Sequence, residues 1–266
     1  MKMFREFKLY YFPSIVVGWL LSACILTYML ALENNHVRPF LPFISECGMT
    51  PPESCLFAQF FNIGAVLMAI MGYIRYQQVN IAINSKIISL PIIWNELSLW
   101  GANIMGIGIS VVGNFQASFS LLIHLTGAVL IFGTAMVYCV IQTKITASYI
   151  HIKCNDEKSV ISNSRLYYLR IFLTFLYCVA CLSTIVLFVK SVEKFDFAEN
   201  KIHWNKEDTD LKIRTLAAIA EWLALFFLNA YALTMTEDFK SLEFEEIRFK
   251  TKYAVFTTNE QNKKRN

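Results

Sequence analysis

Few side chains in this sequence are of a type that does chemistry. There are four histidines, His36, His124, His151 and His203, and one carboxylate, Glu221, set in a long apolar run. Imidazole and carboxylate are the groups that bind zinc or move protons near neutral pH. A zinc site needs three or four such ligands converging on one point. His36, His124, His203 and Glu221 supply the types, but no H-E-x-x-H or related pairing sets their spacing. No metal and no cofactor are therefore expected. G-x-S-x-G and glycine-rich phosphate loops are absent as well. Cys178-Val179-Ala180-Cys181 has the form of C-x-x-C, but it lies inside an apolar run with no second pair. It reads as small residues at a helix interface. No catalytic residue is assigned, and the chain is not expected to be an enzyme.

The elements that carry these residues follow from the apolar runs. The 266 residues are 56% hydrophobic and 17% charged, with a mean hydropathy of +0.45. An average soluble domain is about 25% charged, so an ordinary soluble enzyme, a disordered chain and a coiled coil are all excluded. A net charge of +4 is too small to imply nucleic acid. Charge-free stretches run from Leu9 to Leu32, Ser54 to Ile74, Leu97 to Thr143 and Ile171 to Val189, and Thr215 to Thr236 carries only Glu221. A spanning helix needs about 20 apolar residues. The third stretch is long enough for two, broken at Gly113-Asn114-Phe115-Gln116. The expected fold is an all-α polytopic bundle of six transmembrane helices, near residues 11–32, 54–75, 95–113, 117–142, 166–190 and 213–237. A membrane domain over residues 1–240 precedes a cytosolic tail over 241–266.

Orientation follows from Lys and Arg, which favour the cytosolic side. Of the 24, seventeen fall on the side of the termini, among them Arg75, Arg165, Arg170 and Lys240, and seven on the other side. Both termini are expected in the cytosol, and no Lys or Arg is expected deep in a span. Thr50-Pro51-Pro52-Glu53 reads as a capping box that starts the second span on the lumenal side.

With these spans, His124, Glu221 and Asn62 each lie about eight residues, or ~12 Å, below the lumenal surface on three different helices. An ionisable group at that depth normally faces the bundle interior with a partner. An intramembrane polar cluster of Asn62, His124 and Glu221 is expected, with His124 as the partner of Glu221. It reads either as hydrogen-bonded glue between helices or as a site for a ligand, proton or lipid headgroup. Cys47 and Cys55 share the first lumenal loop, where the compartment permits a disulfide. In the tail, Tyr253-Ala254-Val255-Phe256 has the form of a tyrosine-based endosomal and lysosomal sorting signal. Lys263-Lys264-Arg265-Asn266 has the form of a dilysine signal for retrieval to the ER.

The first lumenal loop, from Pro42 to Phe57, resembles that of the damage-regulated autophagy modulator (DRAM) family, within the Frag/DRAM/Sfk superfamily. So do the exit from span two, Ile74-Arg75-Tyr76-Gln77-Gln78-Val79, the turn Asn114-Phe115-Gln116 with His124 and Gly127, and Tyr138 with Gln142-Thr143. His203-Trp204-Asn205 and Ala220-Glu221-Trp222 complete the resemblance. Cys47 departs from the pattern, in which only the position of Cys55 holds Cys. The resemblance implies a six-span endomembrane protein, lysosomal or endosomal, that modulates autophagy without catalysis. ER and Golgi recycling is the alternative address. The wider superfamily includes proteins of GPI-anchor lipid remodelling, so the second functional expectation is a lipid-handling protein that uses the intramembrane cluster. Membrane lipids and cytosolic or membrane proteins are the expected partners.

Overall fold

The computed structural model describes residues 8–150, 157–192 and 209–243. Six long helices account for most of them: α1 (Phe12–Glu33), α2 (Glu53–Asn84), α3 (Ile92–Asn114), α4 (Leu121–Ile150), α5 (Glu157–Val192) and α6 (Thr209–Leu233). A short helix, α7 (Met235–Phe239), follows, and single 3-10 turns lie at Leu9–Tyr11 and Ile44–Gly48. The described residues contain no strand. All six long helices are long and apolar enough to cross a membrane, so the protein is a multi-pass membrane protein.

Local chemistry explains several boundaries. Pro13 sits in the first turn of α1, where a missing N–H costs nothing. Asn35, just past the end of α1, has φ 58°, a left-handed value that asparagine tolerates. Pro91 caps α3 in an extended conformation. The capping box expected at Thr50–Glu53 is not formed. Glu53 opens α2 without a side-chain cap, because its carboxylate is drawn off the helix to Asn34 and His36.

The helices are apolar all round, as helices in lipid must be. Val66, Ile107, Val129, Phe175 and Phe226 face outward, while Phe57, Met71, Met105, Tyr177 and Tyr231 are buried inside. Consecutive helices pack side by side from α1 to α6, and α6 returns to touch α1. The bundle is therefore a closed ring with up-and-down connectivity. Leu9–Tyr11 packs against α7, so the two described ends of the chain meet at one end of the ring, here termed the terminal end. The Ile44–Gly48 turn contacts α1, α2 and α6 and covers the opposite, far end.

Two helices overrun the expected limits. α2 has 32 residues, about 48 Å at 1.5 Å per residue, and continues nine residues past Arg75. Its extension is held by a second apolar cluster in which Val79, Ala82, Ile88 and Leu90 meet Ile141 and Ile145 of α4. The connection between α3 and α4 occupies residues 115–120, longer than the tight turn expected there.

α3 and α4 come close enough at Gly108 for backbone to meet backbone. A Cβ on Gly108 would lie 2.8 Å from the Gly127 carbonyl oxygen and 2.9 Å from the Ile131 nitrogen, both backbone atoms that cannot rotate away. Small residues let membrane helices come this close, and van der Waals packing then holds them. Gly18, by contrast, has nothing within 4 Å of its Cβ position. Gly108→Ala is therefore expected to separate α3 from α4 and lower stability by about 1–3 kcal/mol. Gly18→Ala is expected to be neutral or slightly stabilising. Thermal unfolding of the detergent-solubilised protein checks the contrast.

Candidate functional site

The far end holds the three residues expected to cluster, and it places each with a different partner. Asn62 on α2 pairs with Asn114 on α3 through reciprocal amide bonds: Asn62 Nδ2 donates to Asn114 Oδ1 at 3.1 Å and Asn114 Nδ2 to Asn62 Oδ1 at 2.8 Å. Ser110 Oγ also donates to Asn62 Oδ1, at 2.7 Å. This is a polar clamp between two helices. His124, on α4, is buried, and its Nδ1 lies 2.7 Å from the Phe115 carbonyl oxygen. That contact requires Nδ1 to carry the proton, which leaves Nε2 as an acceptor. Glu221 Oε2, on α6, accepts the Ile44 backbone N–H at 2.8 Å. No hydrogen bond joins Asn62, His124 and Glu221 to one another. His124 and Glu221 do line one interior cavity of about 100 Å³, whose walls Asn62 does not reach.

The segment that covers this end is fastened to α6 at three points. Trp222 Nε1 donates to the Pro42 carbonyl at 2.9 Å, Ile44 N–H donates to Glu221, and Arg214 forms an ion pair with Glu46. Glu46 Oε2 also accepts the Phe43 N–H at 3.0 Å, and the Arg214 guanidinium lies 5.8 Å from the Phe43 ring centre. Nearby, buried Glu53 accepts from Asn34 Nδ2 at 2.8 Å and faces His36 Nδ1 at 2.9 Å. Glu221 thus spends one oxygen on holding the covering segment and lines the cavity beneath it.

Cys47 and Cys55 are both free thiols, so the bridge expected between them is not formed. Cys47 points into the core, with Sγ 3.7 Å from the Phe43 carbonyl oxygen, whereas Cys55 is exposed. Burial pushes the Cys47 thiol up to about 12, well above the range of a reactive thiolate. Cys154, His151 and His203 lie outside the described residues, as do both tail signals at Tyr253–Phe256 and Lys263–Asn266.

The terminal end holds a network that the sequence did not reveal. Arg75 and Arg170, counted on the cytosolic side, lie within α2 and α5, with their side chains 1% and 0% exposed. Both lie toward the terminal-end part of their helices, Arg170 six residues from the start of the apolar stretch Ser164–Ser191 and Arg75 nine residues from the end of α2. Both guanidiniums reach Asp238 on α7: Arg75 Nη1 is 3.4 Å from Oδ1, and Arg170 Nη2 pairs with Oδ2. Arg75 Nε donates to Gln142 Oε1 at 3.0 Å and Nη1 to Gln78 Oε1 at 2.6 Å. Gln142 Nε2 passes the chain on to Ser98 at 2.7 Å. Arg170 Nε donates to Thr234 at 2.9 Å, and Nη1 to Thr146 at 2.5 Å. Gln78 Nε2 in turn donates to Ser241 Oγ at 2.9 Å. Arg75 Nη2 is buried without a hydrogen-bond partner among the described residues. Five helices are joined, α2 to α5 and α7. The signal in the sequence was helical spacing: Arg75, Gln78, Val79 and Ala82 continue the face of α2 beyond its charge-free run.

Removing one partner of a buried ion pair typically costs about 3–5 kcal/mol. Asp238→Asn leaves two buried guanidiniums without a counter-charge and is expected to lose an amount of that order. Glu237→Gln, at the exposed pair with Lys240, is expected to change little. Unfolding midpoints in detergent compare the two. For the thiols, a maleimide reagent is expected to modify Cys55 and spare Cys47 in the folded protein. Peptide masses of Cys47 and Cys55 are expected to be the same with and without reductant.

A family model described as the Frag1/DRAM/Sfk1/Cwh43P N-terminal domain matches residues 8–242. The chain is 32% identical over 235 residues to DNA damage-regulated autophagy modulator protein 2 of Mus musculus, covering 87% of this chain and 84% of that one. It is 32% identical over 230 residues to DNA damage-regulated autophagy modulator protein 1 of Homo sapiens, covering 86% and 90%. Identity to the modulator of macroautophagy TMEM150B of Xenopus tropicalis is 28% over 245 residues, 91% of each chain. No solved structure matches.

Proposed function

The chain belongs to the Frag1/DRAM/Sfk1/Cwh43P N-terminal domain family, and on that premise we propose that it modulates autophagy from an endolysosomal membrane without catalysing a reaction. One observation carries this reading: relatives that align along nearly the whole six-helix body bear the name of autophagy modulators. The site chemistry is in keeping with it. His124 and Glu221 are each tied to a backbone group and share no substrate-sized polar cleft. Such a body acts by contact, through lipids and through membrane or cytosolic proteins. Both termini face the cytosol in this proposal, because the terminal end carries most of the Lys and Arg. Tyr253-Ala254-Val255-Phe256 then directs the protein to endosomes and lysosomes.

A second reading, lipid handling, is favoured by the interior cavity that His124 and Glu221 share. Autophagic flux and lipid composition, measured in the same knockout cells, separate the two. Altered turnover of autophagosomes with an unchanged lipid profile is the expected result; the reverse pattern replaces the first reading by the second. A tag at the C-terminus is expected to be cleaved by protease added to intact endosomes, and a protected tag overturns the orientation. Tyr253→Ala is expected to remove the protein from lysosomes. If Lys263→Ser with Lys264→Ser moves it from ER to lysosomes instead, the dilysine signal is the dominant address.

A further inference from the structure

The terminal-end network carries more positive charge than negative. Among the described residues, the ion pairs of Arg75 and Arg170 are both made with the single carboxylate of Asp238. Their other hydrogen bonds go to the neutral side chains of Gln142, Gln78, Thr146 and Thr234. Arg75 Nη2 has no hydrogen-bond partner among the described residues. A guanidinium stays charged in a protein, so a second anion brought to this end is attracted to it.

One side chain links that surplus to the surface. Gln78 Oε1 accepts from Arg75 Nη1 at 2.6 Å, and Gln78 Nε2 donates to Ser241 Oγ at 2.9 Å. Ser241 is exposed and lies just past the end of α7. An anion carried on its Oγ meets an N–H donor at once, with a guanidinium one amide beyond. The hydroxyl proton is dispensable. Ser241 Oγ donates it to the Asp238 carbonyl at 2.9 Å, but that carbonyl also accepts from Gln78 Nε2 and from the Ser241 backbone N–H. Asp238 lies three residues back, and its carboxylate is turned to the two guanidiniums. The sequence that follows, Leu242-Glu243-Phe244-Glu245-Glu246, is acidic. Such a flank complements the cationic substrate groove of an acidophilic protein kinase.

We propose that Ser241 is a phosphorylation site, and that its phosphate locks α7 onto the ring through Gln78 and Arg75. The phosphoryl donor is ATP and the catalyst an acidophilic protein kinase. Ser241 Oγ bonds to the γ-phosphorus, the bond from that phosphorus to the departing ADP oxygen breaks, and the hydroxyl proton passes to the kinase. A charge of about −1.5 to −2 then stands where a neutral hydroxyl stood. The site rests on the proposed orientation, which puts Ser241 on the cytosolic side with ATP.

The test has a cellular arm and a purified one. Full-length protein is isolated from cells treated with a phosphatase inhibitor, and the peptide that contains Ser241 is expected to carry one phosphate. In the second arm, phosphoserine is placed at position 241 of the full-length protein by genetic-code expansion. Its unfolding midpoint in detergent is expected to rise by about 2–4 °C over the unmodified protein, the scale of one added charge-assisted bond, and Arg75→Gln is expected to abolish the rise. Phosphorus NMR is expected to place the last ionisation of the phosphate lower in the folded protein than in a peptide of residues 236–246, because a nearby guanidinium favours the dianion. An unchanged or lowered midpoint, or a phosphate that titrates as in the peptide, overturns the lock. Should Arg75→Gln fail to fold, the NMR titration decides alone. No phosphate on Ser241, in cells whose C-terminal tag is cleaved by protease added to intact endosomes, overturns the site and leaves the orientation standing. A protected tag overturns the orientation and the site with it.

Discussion

Asp238 is the point on which the terminal end of the bundle depends. Two buried guanidiniums, from α2 and α5, converge on its carboxylate from different sides. Neither arginine is stable there alone, since an isolated charge in a medium of low dielectric constant costs several kcal/mol. Each is made tolerable by the shared counter-charge and by the hydrogen bonds it donates, Arg75 to Gln142 and Gln78 and Arg170 to Thr146 and Thr234. The consequence is directional. Because Asp238 lies on α7, the segment after the last span must dock before the arginines are satisfied, and docking brings α7 against Leu9–Tyr11. The two termini are thereby fixed together at one end of the ring. A wholly apolar interior would pack as tightly, but it would not specify which segment closes the bundle.

The far end is held by a different kind of contact. Backbone groups of residues 42–46 face side chains of α6, with Trp222 and Glu221 each taking one main-chain atom. Such contacts satisfy backbone polarity that has no secondary-structure partner. They also set the depth of Ile44 and Ser45, which form part of the cavity wall. Tight approach at Gly108 and Gly127 on one side of the ring contrasts with the void at its centre. Neighbouring helices are drawn together by small residues, but six helices in a ring cannot all touch along the axis. Side chains fill most of that space and leave a cavity of about 100 Å³.

Met235 and Tyr231 line the interior cavity, and Tyr231 lies under the Arg170 guanidinium at 5.7 Å. The interior and the terminal end are thus physically continuous, through packed side chains rather than through a loop.

The six helices were legible in the sequence because a lipid environment leaves so little choice. Charge-free runs of about 20 residues can only be helices that satisfy their own backbone, and the family resemblance at Pro42–Phe57, Arg75–Val79 and Ala220–Trp222 followed from residues in plain order. The inward placement of Glu221 was legible for the same reason, as a carboxylate in an apolar run avoids lipid. What the sequence could not convey is partner choice. Asn62, His124 and Glu221 lie at similar depths, yet helix rotation sends Asn62 to Asn114 and leaves the other two across a cavity. Rotation about a helix axis is invisible when every face is apolar, because the pattern that normally reveals the inner face is missing. The same blindness hid Arg75 and Arg170. Counted by type, they marked only the side of the membrane; the meeting of α2, α5 and α7 around Asp238 showed that their charge is neutralised inside the bundle. Cys47 and Cys55, eight residues apart in sequence, were separated by a turn that buries one and exposes the other. Composition determined that this chain lives in a membrane; tertiary packing decided which of its few polar atoms meet, since those meetings depend on angles and distances between helices that no single helix encodes.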